Sequence, residues 1–335
     1  MAEAATSWQL RLAKHRMQSN LRGVLEIVWT AVPFVALWIA AWSVFQFSPW
    51  LSILLGIPAA GFLVRLFLIQ HDCGHGSLFT SRRANDWVGR IIGVVTLTPY
   101  AYWRAAHAHH HAGSSNLDRR GIGDIDTLTV REYAALKPLA RLRYRLYRHP
   151  LVIFGLGPAY LFLFRHRLPP GWEGGGRAYW LSVMGTNLAI ILLVAALIAL
   201  LGWRQVLATH LPIAVVASSI GVWLFFVQHQ FEETYWSRPP GWTPQKAALA
   251  GSSHYALPRP LAWLTANIGL HHLHHLSSRI PFYRLPSALA DCPELTGTTR
   301  LTLRTSLRCV NLALWDERSN RLVSFAEARK ILAAA

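Results

Sequence analysis

Sixteen of the 335 residues are histidine, and eleven of them fall in four short stretches. His71 and His75 frame the pentapeptide His71-Asp72-Cys73-Gly74-His75. His107, His109, His110 and His111 follow Trp103-Arg104, His229 stands alone after a long apolar run, and His271, His272, His274 and His275 form a patch in the tail. On a helix, residues three and four apart share a face. His71 and His75 are so related, as are His107, His110 and His111, and again His271, His274 and His275. Each set can aim its imidazoles at one point. His109 turns to the other side, and His272 is less clearly excluded because it stands three residues from His275. With His229 these sets offer nine nitrogens, too many for a tetrahedral zinc site. They suit two metals with open positions for water or oxygen, and imidazole-rich sites take iron, copper, nickel or zinc. His15, His149, His166 and His254 read as ordinary core or surface residues. His210 lies ~28 Å from His229 along one helix, near the opposite membrane face.

The elements that must carry these residues follow from hydropathy. An apolar core of ~30 Å needs about 20 helical residues. Val24–Phe47, Leu51–Gln70, Ala178–Leu201 and Leu211–Gln228 are the runs that reach this length. Ser48-Pro49-Trp50 joins the first two into a tight hairpin, and Gly202-Trp203-Arg204-Gln205 lies at the turn between the others. Two shorter runs, Trp87–Trp103 and Leu151–Phe164, are interrupted by Arg90, Pro99 or Pro158 and read as interfacial helices. Arg65, inside the second run, is expected to snorkel toward the interface. Gly174-Gly175-Gly176 separates the middle segment from the third span. The expected fold is therefore all-α and integral to the membrane: four transmembrane helices in two hairpins, interfacial helices and a helical cap. Residues 1–335 form one membrane domain, with the cap built from 71–177 and 229–335.

Composition agrees. Apolar residues make up 53% of the chain, charged residues 15%, and the mean hydropathy is +0.26, against roughly 25% charged in a soluble domain. Thirty-nine aromatic residues exclude disorder,. Cys73, Cys292 and Cys309 are too few and too scattered for a disulfide framework. Of 33 Lys and Arg, 31 lie in the N-terminal arm, the middle segment and the tail; one, Arg204, lies in the short turns. Positive segments stay in the cytoplasm, so both termini and all histidine clusters are expected on the cytosolic side. The net charge of +17 then faces the anionic inner leaflet, and no nucleic-acid partner is needed to explain it.

A His-x-x-x-His at a helix end, then His-x-x-His-His, then a distant His-x-x-His-His, resembles the membrane fatty acid desaturase family. His71-Asp72-Cys73-Gly74-His75-Gly76 looks like the first box of bacterial and plastid-type acyl-lipid desaturases. Trp103-Arg104, the run Asn116-Leu117-Asp118-Arg119-Arg120-Gly121, and Leu276-Ser277-Ser278-Arg279-Ile280-Pro281-Phe282-Tyr283-Arg284-Leu285 are similar to the bacterial branch. The likeness covers about residues 20 to 290. It implies a cytosolic site of two irons, held by His71, His75, His107, His110, His111, His271, His274 and His275, with His229 completing the set. It further implies O2 as cosubstrate and removal of two hydrogens from adjacent acyl methylenes of a lipid-linked chain, of the Δ12/ω-6 type, in a bacterial inner membrane.

The residues fit that chemistry. An unactivated methylene has no acidic proton, so acid-base catalysis cannot open it. The Glu-x-x-His of soluble di-iron bundles and the His-Glu-x-x-His of zinc proteases do not occur. Asp72, Asp118, Asp126, Glu232 and Glu233 lie near the boxes, either orienting imidazoles or simply solvated. No dinucleotide, Cys-x-x-Cys or haem-attachment motif occurs,, nor a His-Pro-Gly-Gly, so electrons are expected from a separate ferredoxin-like donor and its reductase, docking on the basic face. The competing readings are a hydroxylase or ketolase of the same superfamily, a histidine-rich metal transporter, and a membrane cytochrome. The last two call for ionisable residues at mid-span or histidine pairs within the spans; Glu26 sits at the rim of the first run, and near the centres only Arg65 is there.

Overall fold

The computed structural model describes residues 7–168 and 176–334. A short helix α1 (Ser7–Lys14) precedes four long apolar ones: α2 (Asn20–Val44), α3 (Pro49–His75), α9 (Gly176–Leu201) and α10 (Trp203–His229). The Ser19 hydroxyl caps α2 by accepting from Arg22 N–H at 3.3 Å, and the Ser48 hydroxyl caps α3 by accepting from Leu51 N–H at 3.2 Å,. Pro49 at the first position of α3 has no amide hydrogen to leave unpaired,. Helix α3 ends on Gly76 at φ +66°, where glycine avoids the Cβ penalty,. Its buried amide and carbonyl groups are satisfied within the helix, as a lipid environment demands.

The ends differ from expectation. Helix α2 stops at Val44, not Phe47, and α3 runs on to His75, so the first histidine pair belongs to the last turn of a span. Helix α10 starts at Trp203 because Gly202 alone, at φ +83°, makes the turn. Pro212 lies within its early turns and did not delay its start. The triple glycine opens α9 with Gly176; Gly174 and Gly175 lie outside the described residues.

Helix α3 is innermost, packed against α2, α10 and α4 (Arg82–Val95), whereas α9 leaves Leu188, Ile191 and Leu192 facing outward. Arg65 does not snorkel. It is buried within α3, ion-paired with buried Glu26 of α2, and it donates to the Thr30 hydroxyl at 3.1 Å and to the Trp263 carbonyl. Glu26 supplies the countercharge directly across the hairpin, which removes the drive toward the interface.

The run Trp87–Trp103 is two helices, α4 and α5 (Tyr100–Gly113), broken at Thr96–Pro99. Trp87, Ile91 and Val95, one turn apart, form an exposed apolar stripe on α4. Beyond α5 come β1 (Leu128–Thr129), α6 (Val130–Ala135) and α7 (Pro138–Tyr147), then a π-helical turn at Val152–Leu156 leading into α8 (Gly157–Leu163). After α10 the tail holds α11 (Pro244–Ala250), β2 (His254–Tyr255), α12 (Arg259–Leu264), α13 (His271–Leu276), α14 (Leu285–Asp291), β3 (Arg300–Leu301), α15 (Leu303–Ser306), β4 (Leu312–Asp316), β5 (Arg321–Ser324) and α16 (Phe325–Ala333). The sequence reading did not foresee these strands. β1 pairs in parallel with β4, which pairs antiparallel with β5. Val130, Tyr133, Tyr144, Leu314 and Val323 share a small core there, so the middle segment and the tail are stitched together. Buried Arg148 adds to this, donating to Gln230 Oε1 at 2.8 Å and to the Leu312 carbonyl at 2.7 Å.

Candidate metal centre

The two helical hairpins put the C-terminal ends of α3 and α10 at the same end of the bundle. His71 and His75 close α3, and His229 closes α10. Helix α5 crosses beside them, its Trp103 ring stacked on His107 at 4.8 Å and 13°. Helix α13 brings the last cluster under both. Its six residues are fixed by Leu273, which is buried in the main core.

All nine imidazoles converge, but in two groups. Nitrogens of His71, His75, His107, His111 and His274 lie within 4.8 Å of one another, and so do those of His110, His229, His271 and His275. The Nε2 atoms face each other closely: His107 to His75 at 3.0 Å, His111 to His107 at 3.1 Å, and His274 to His111 at 3.0 Å. In the second group His271 meets His229 at 2.9 Å, and His275 meets His271 at 3.1 Å. The sets on α5 and α13 do not each aim at one point. Each divides its i, i+4 pair from its remaining histidine, so both helices bridge the two groups. Within the second group His110 Nε2 meets His275 Nε2 at 3.3 Å, and across the groups the His111 ring stacks on that of His275 at 4.2 Å.

His109 is exposed and outside both groups. His272 is buried, with its ring 6.0 Å from that of His254, and it too joins neither group. His210 bonds Trp38 Nε1 far along α10, and His15 pairs with Asp291.

Burial holds His107, His111, His271, His274 and His275 well below the ordinary imidazole pKa of 6.5, with neighbouring imidazoles adding to the effect,. These rings are therefore neutral at physiological pH, and each keeps a nitrogen lone pair for a cation. The distal nitrogens are tethered. His110 Nδ1 bonds the Asp124 carboxylate, His229 Nδ1 bonds the Gly251 carbonyl at 3.2 Å, and His71 Nδ1 contacts Asp72 at 3.3 Å. Such tethers select the tautomer that leaves Nε2 free for metal.

Of the carboxylates flagged in the sequence, Asp72 is built into the site. It is buried and also accepts the Phe282 amide at 2.8 Å, tying α3 to the segment after α13. Asp118 pairs with Arg238 and Glu232 with Arg321, both at the surface. Asp126 and Glu233 make no contact with the histidines among the described residues. The carboxylate that does so, Asp124, was missed. Its signal was the preceding Gly121-Ile122-Gly123. At φ +71° Gly123 packs so close that a Cβ there would sit 2.7 Å from the Ala106 carbonyl oxygen, which is how Asp124 reaches α5.

Four long apolar helices capped by two adjacent imidazole groups define a membrane-type protein with a histidine-rich centre able to hold metal ions. Comparison with known proteins gives this class its family. The family pattern described as fatty acid desaturase matches residues 48–306, and the chain belongs to that family of oxidoreductases. A fatty acid desaturase of Bacillus subtilis (strain 168) is 44% identical over 321 residues, covering 96% of this chain and 91% of the relative. More distant are two Synechocystis proteins. An sn-1 acyl-lipid omega-3 desaturase (ferredoxin) is 29% identical, covering 69% of this chain and 64% of its own. An sn-1 oleoyl-lipid 12-desaturase is also 29% identical, covering 70% and 66%.

Proposed function

We propose that this desaturase is an acyl-lipid enzyme of the Δ12/ω-6 type with two irons. In this reading His71, His75, His107, His111 and His274 would hold one iron, and His110, His229, His271 and His275 the other. When bound, the irons supply the O2-dependent oxidising power that removes two hydrogens from neighbouring methylenes. The protein's part is ligation, tautomer control and exclusion of water. Two nitrogen sets, without a carboxylate among the donors, would leave the charge of each cation unreduced. The observation that carries the reading is the division of nine converging imidazoles into two adjacent groups, since one metal could not use them all. Support for the lipid-linked substrate comes from the names of the Synechocystis relatives. Those relatives include both ω-3 and 12-desaturases, and the first histidine box favours the latter.

The distribution of Lys and Arg supports an inner-membrane orientation with the termini and the histidines in the cytosol. The same basic face suits an acidic ferredoxin-like donor with its reductase. Reduction by such a donor should slow as ionic strength rises; rates indifferent to salt would remove this partner. The deciding experiment is lipid analysis of a host expressing the chain beside a His107→Ala variant. A new diunsaturated acyl chain, with the added double bond at Δ12, is expected only with the unsubstituted protein. An alcohol or ketone product instead would move the chain to hydroxylase chemistry, and identical lipids from both would remove the site assignment.

A further inference from the structure

Between the end of α1 and the start of α4 a cavity of about 500 Å³ opens to the surface, within the range of roughly 300–1,000 Å³ usual for small-ligand sites. Arg16, Arg82 and Arg279 line it, together with Gln18, Thr80 and Asn85, and no carboxylate does. The three arginines come from three distant segments and none is neutralised inside the cavity. Arg16 Nε is held by the Ser277 hydroxyl at 2.9 Å. Arg82 has Asp86 at 3.7 Å, but that carboxylate already receives Arg104 at 2.6 Å and the Tyr100 hydroxyl at 3.1 Å. Arg279 makes no ion pair among the described residues.

The floor is ordered. Gln18 donates to the Gly76 carbonyl at 3.3 Å, and Asn85 clasps the backbone of Phe79 through both its N–H and its carbonyl. The cavity lies at the level where α2 begins, and the segments that line it also expose apolar side chains: Met17 and Leu21 follow Arg16 and Gln18 in sequence, and Trp87 and Ile91 follow Arg82 and Asn85 on α4. A basic recess on segments that also expose apolar side chains matches one kind of molecule: an anion whose remaining parts are apolar. Planar guanidinium forks fit tetrahedral oxyanions, which they can bind bidentately. Gly76 also borders the recess, directly after His75, and Arg82 Nη1 would lie 3.9 Å from a Cβ at that position. The recess therefore abuts the histidine centre.

We propose that this cavity binds the phosphate ester of the acyl carrier, a phospholipid headgroup at the rim of the apolar zone, and so fixes the polar end of the substrate beside the histidine groups. The inference rests on the acyl-lipid reading above and names what holds that lipid. The test is equilibrium dialysis of the full-length, iron-loaded protein in detergent against tritiated dihexanoylphosphatidylglycerol. Dihexanoylglycerol, which lacks the phosphate, is the parallel ligand, and coenzyme A and inorganic phosphate are the competitors. The phospholipid is expected to bind at least about tenfold more tightly than its phosphate-free counterpart, as loss of charge-assisted hydrogen bonds implies. Arg82→Gln/Arg279→Gln should erase that preference, and Arg82→Lys/Arg279→Lys should keep part of it. Arg318→Gln/Arg329→Gln, remote from the recess but equal in charge removed, should leave it intact. Displacement by coenzyme A, with weak binding of the phospholipid, would support phosphate recognition but assign it to a soluble thioester. No preference for the phosphate-bearing lipid, or equal losses in the near and remote variants, would overturn the proposal. Desaturation by the host is scored separately, so a chain that makes alkenes without phosphate preference sinks this inference alone.

Discussion

The Asp124 carboxylate meets His110 Nδ1, which turns the other nitrogen of that ring toward His229, His271 and His275. Asp124 is nearly buried, and it is brought to α5 by the tight approach of Gly123. Replacing it with asparagine keeps the shape but allows the opposite tautomer at His110. Loss of an outer hydrogen-bond partner of a metal-binding histidine commonly weakens metal retention by about 10–100-fold. Asp124→Asn should therefore shed metal faster into a chelator, as read by elemental analysis after timed dialysis. Unchanged retention would mean that His110 is oriented by packing alone.

The two histidines that stand apart give a contrasting pair of variants. His109 is exposed on α5, and His109→Ala should leave metal content and fatty-acid products unchanged. His272 is buried without joining either group, so His272→Ala should lower thermal stability through the cavity it leaves, by about 1–3 kcal/mol, while metal stoichiometry stays at the unsubstituted level. Depleted metal in either variant would show that the grouping of the nine imidazoles is misread.

These histidines also show how far the sequence could be followed. Helical spacing singled out eight of the nine nitrogens and set His109 aside, because i, i+3 and i+4 positions follow directly from helix geometry, while His229 was added by its place at the end of a span. It could not tell that His107 and His111 part company with His110, since that depends on where α3, α10 and α13 stand around α5. Hydropathy located the four long helices, and misjudged their ends wherever a single residue, such as Gly202, sufficed for a turn. Asp124 was missed because its contact depends on a backbone approach at Gly123, which the paired glycines mark without showing where it leads. The β4–β5 hairpin was hidden because its strands are only five and four residues long and bury consecutive positions, so no two-residue period marks them,.

The Glu26–Arg65 pair was likewise split in the sequence reading, one partner placed at a rim and the other sent to the interface. Both side chains are about 1% exposed. Removing one partner of such a pair strands a charge, which costs about 3–5 kcal/mol, whereas replacing both with apolar groups is often neutral. Glu26→Gln should unfold at markedly lower temperature in detergent, and Glu26→Leu/Arg65→Met should recover much of the loss. Additive losses in the double variant would show that each residue acts through separate contacts, Arg65 through Thr30 and Trp263 and Glu26 through Arg22.

Acid sensitivity of the cap should trace to Glu132. Its carboxylate accepts two hydrogen bonds from Arg120, at 2.7 and 2.8 Å, and closes the capping box of α6 with Thr129. Arg120 is the chief cause holding the Glu132 pKa at about 2, below the ordinary 4.5. A depressed carboxylate stabilises the fold above its unfolded value and ceases to do so as pH falls through its folded value. The contribution should thus be complete above pH 4.5 and fade toward pH 2. Since the group is about a third exposed, screening limits it to about 1 kcal/mol. Glu132→Gln keeps a capping side chain at this position and removes only the charge. Melting curves of the two proteins should therefore differ at pH 6 and converge as the medium approaches pH 2, whereas a gap that persists there would assign the effect to packing rather than to charge.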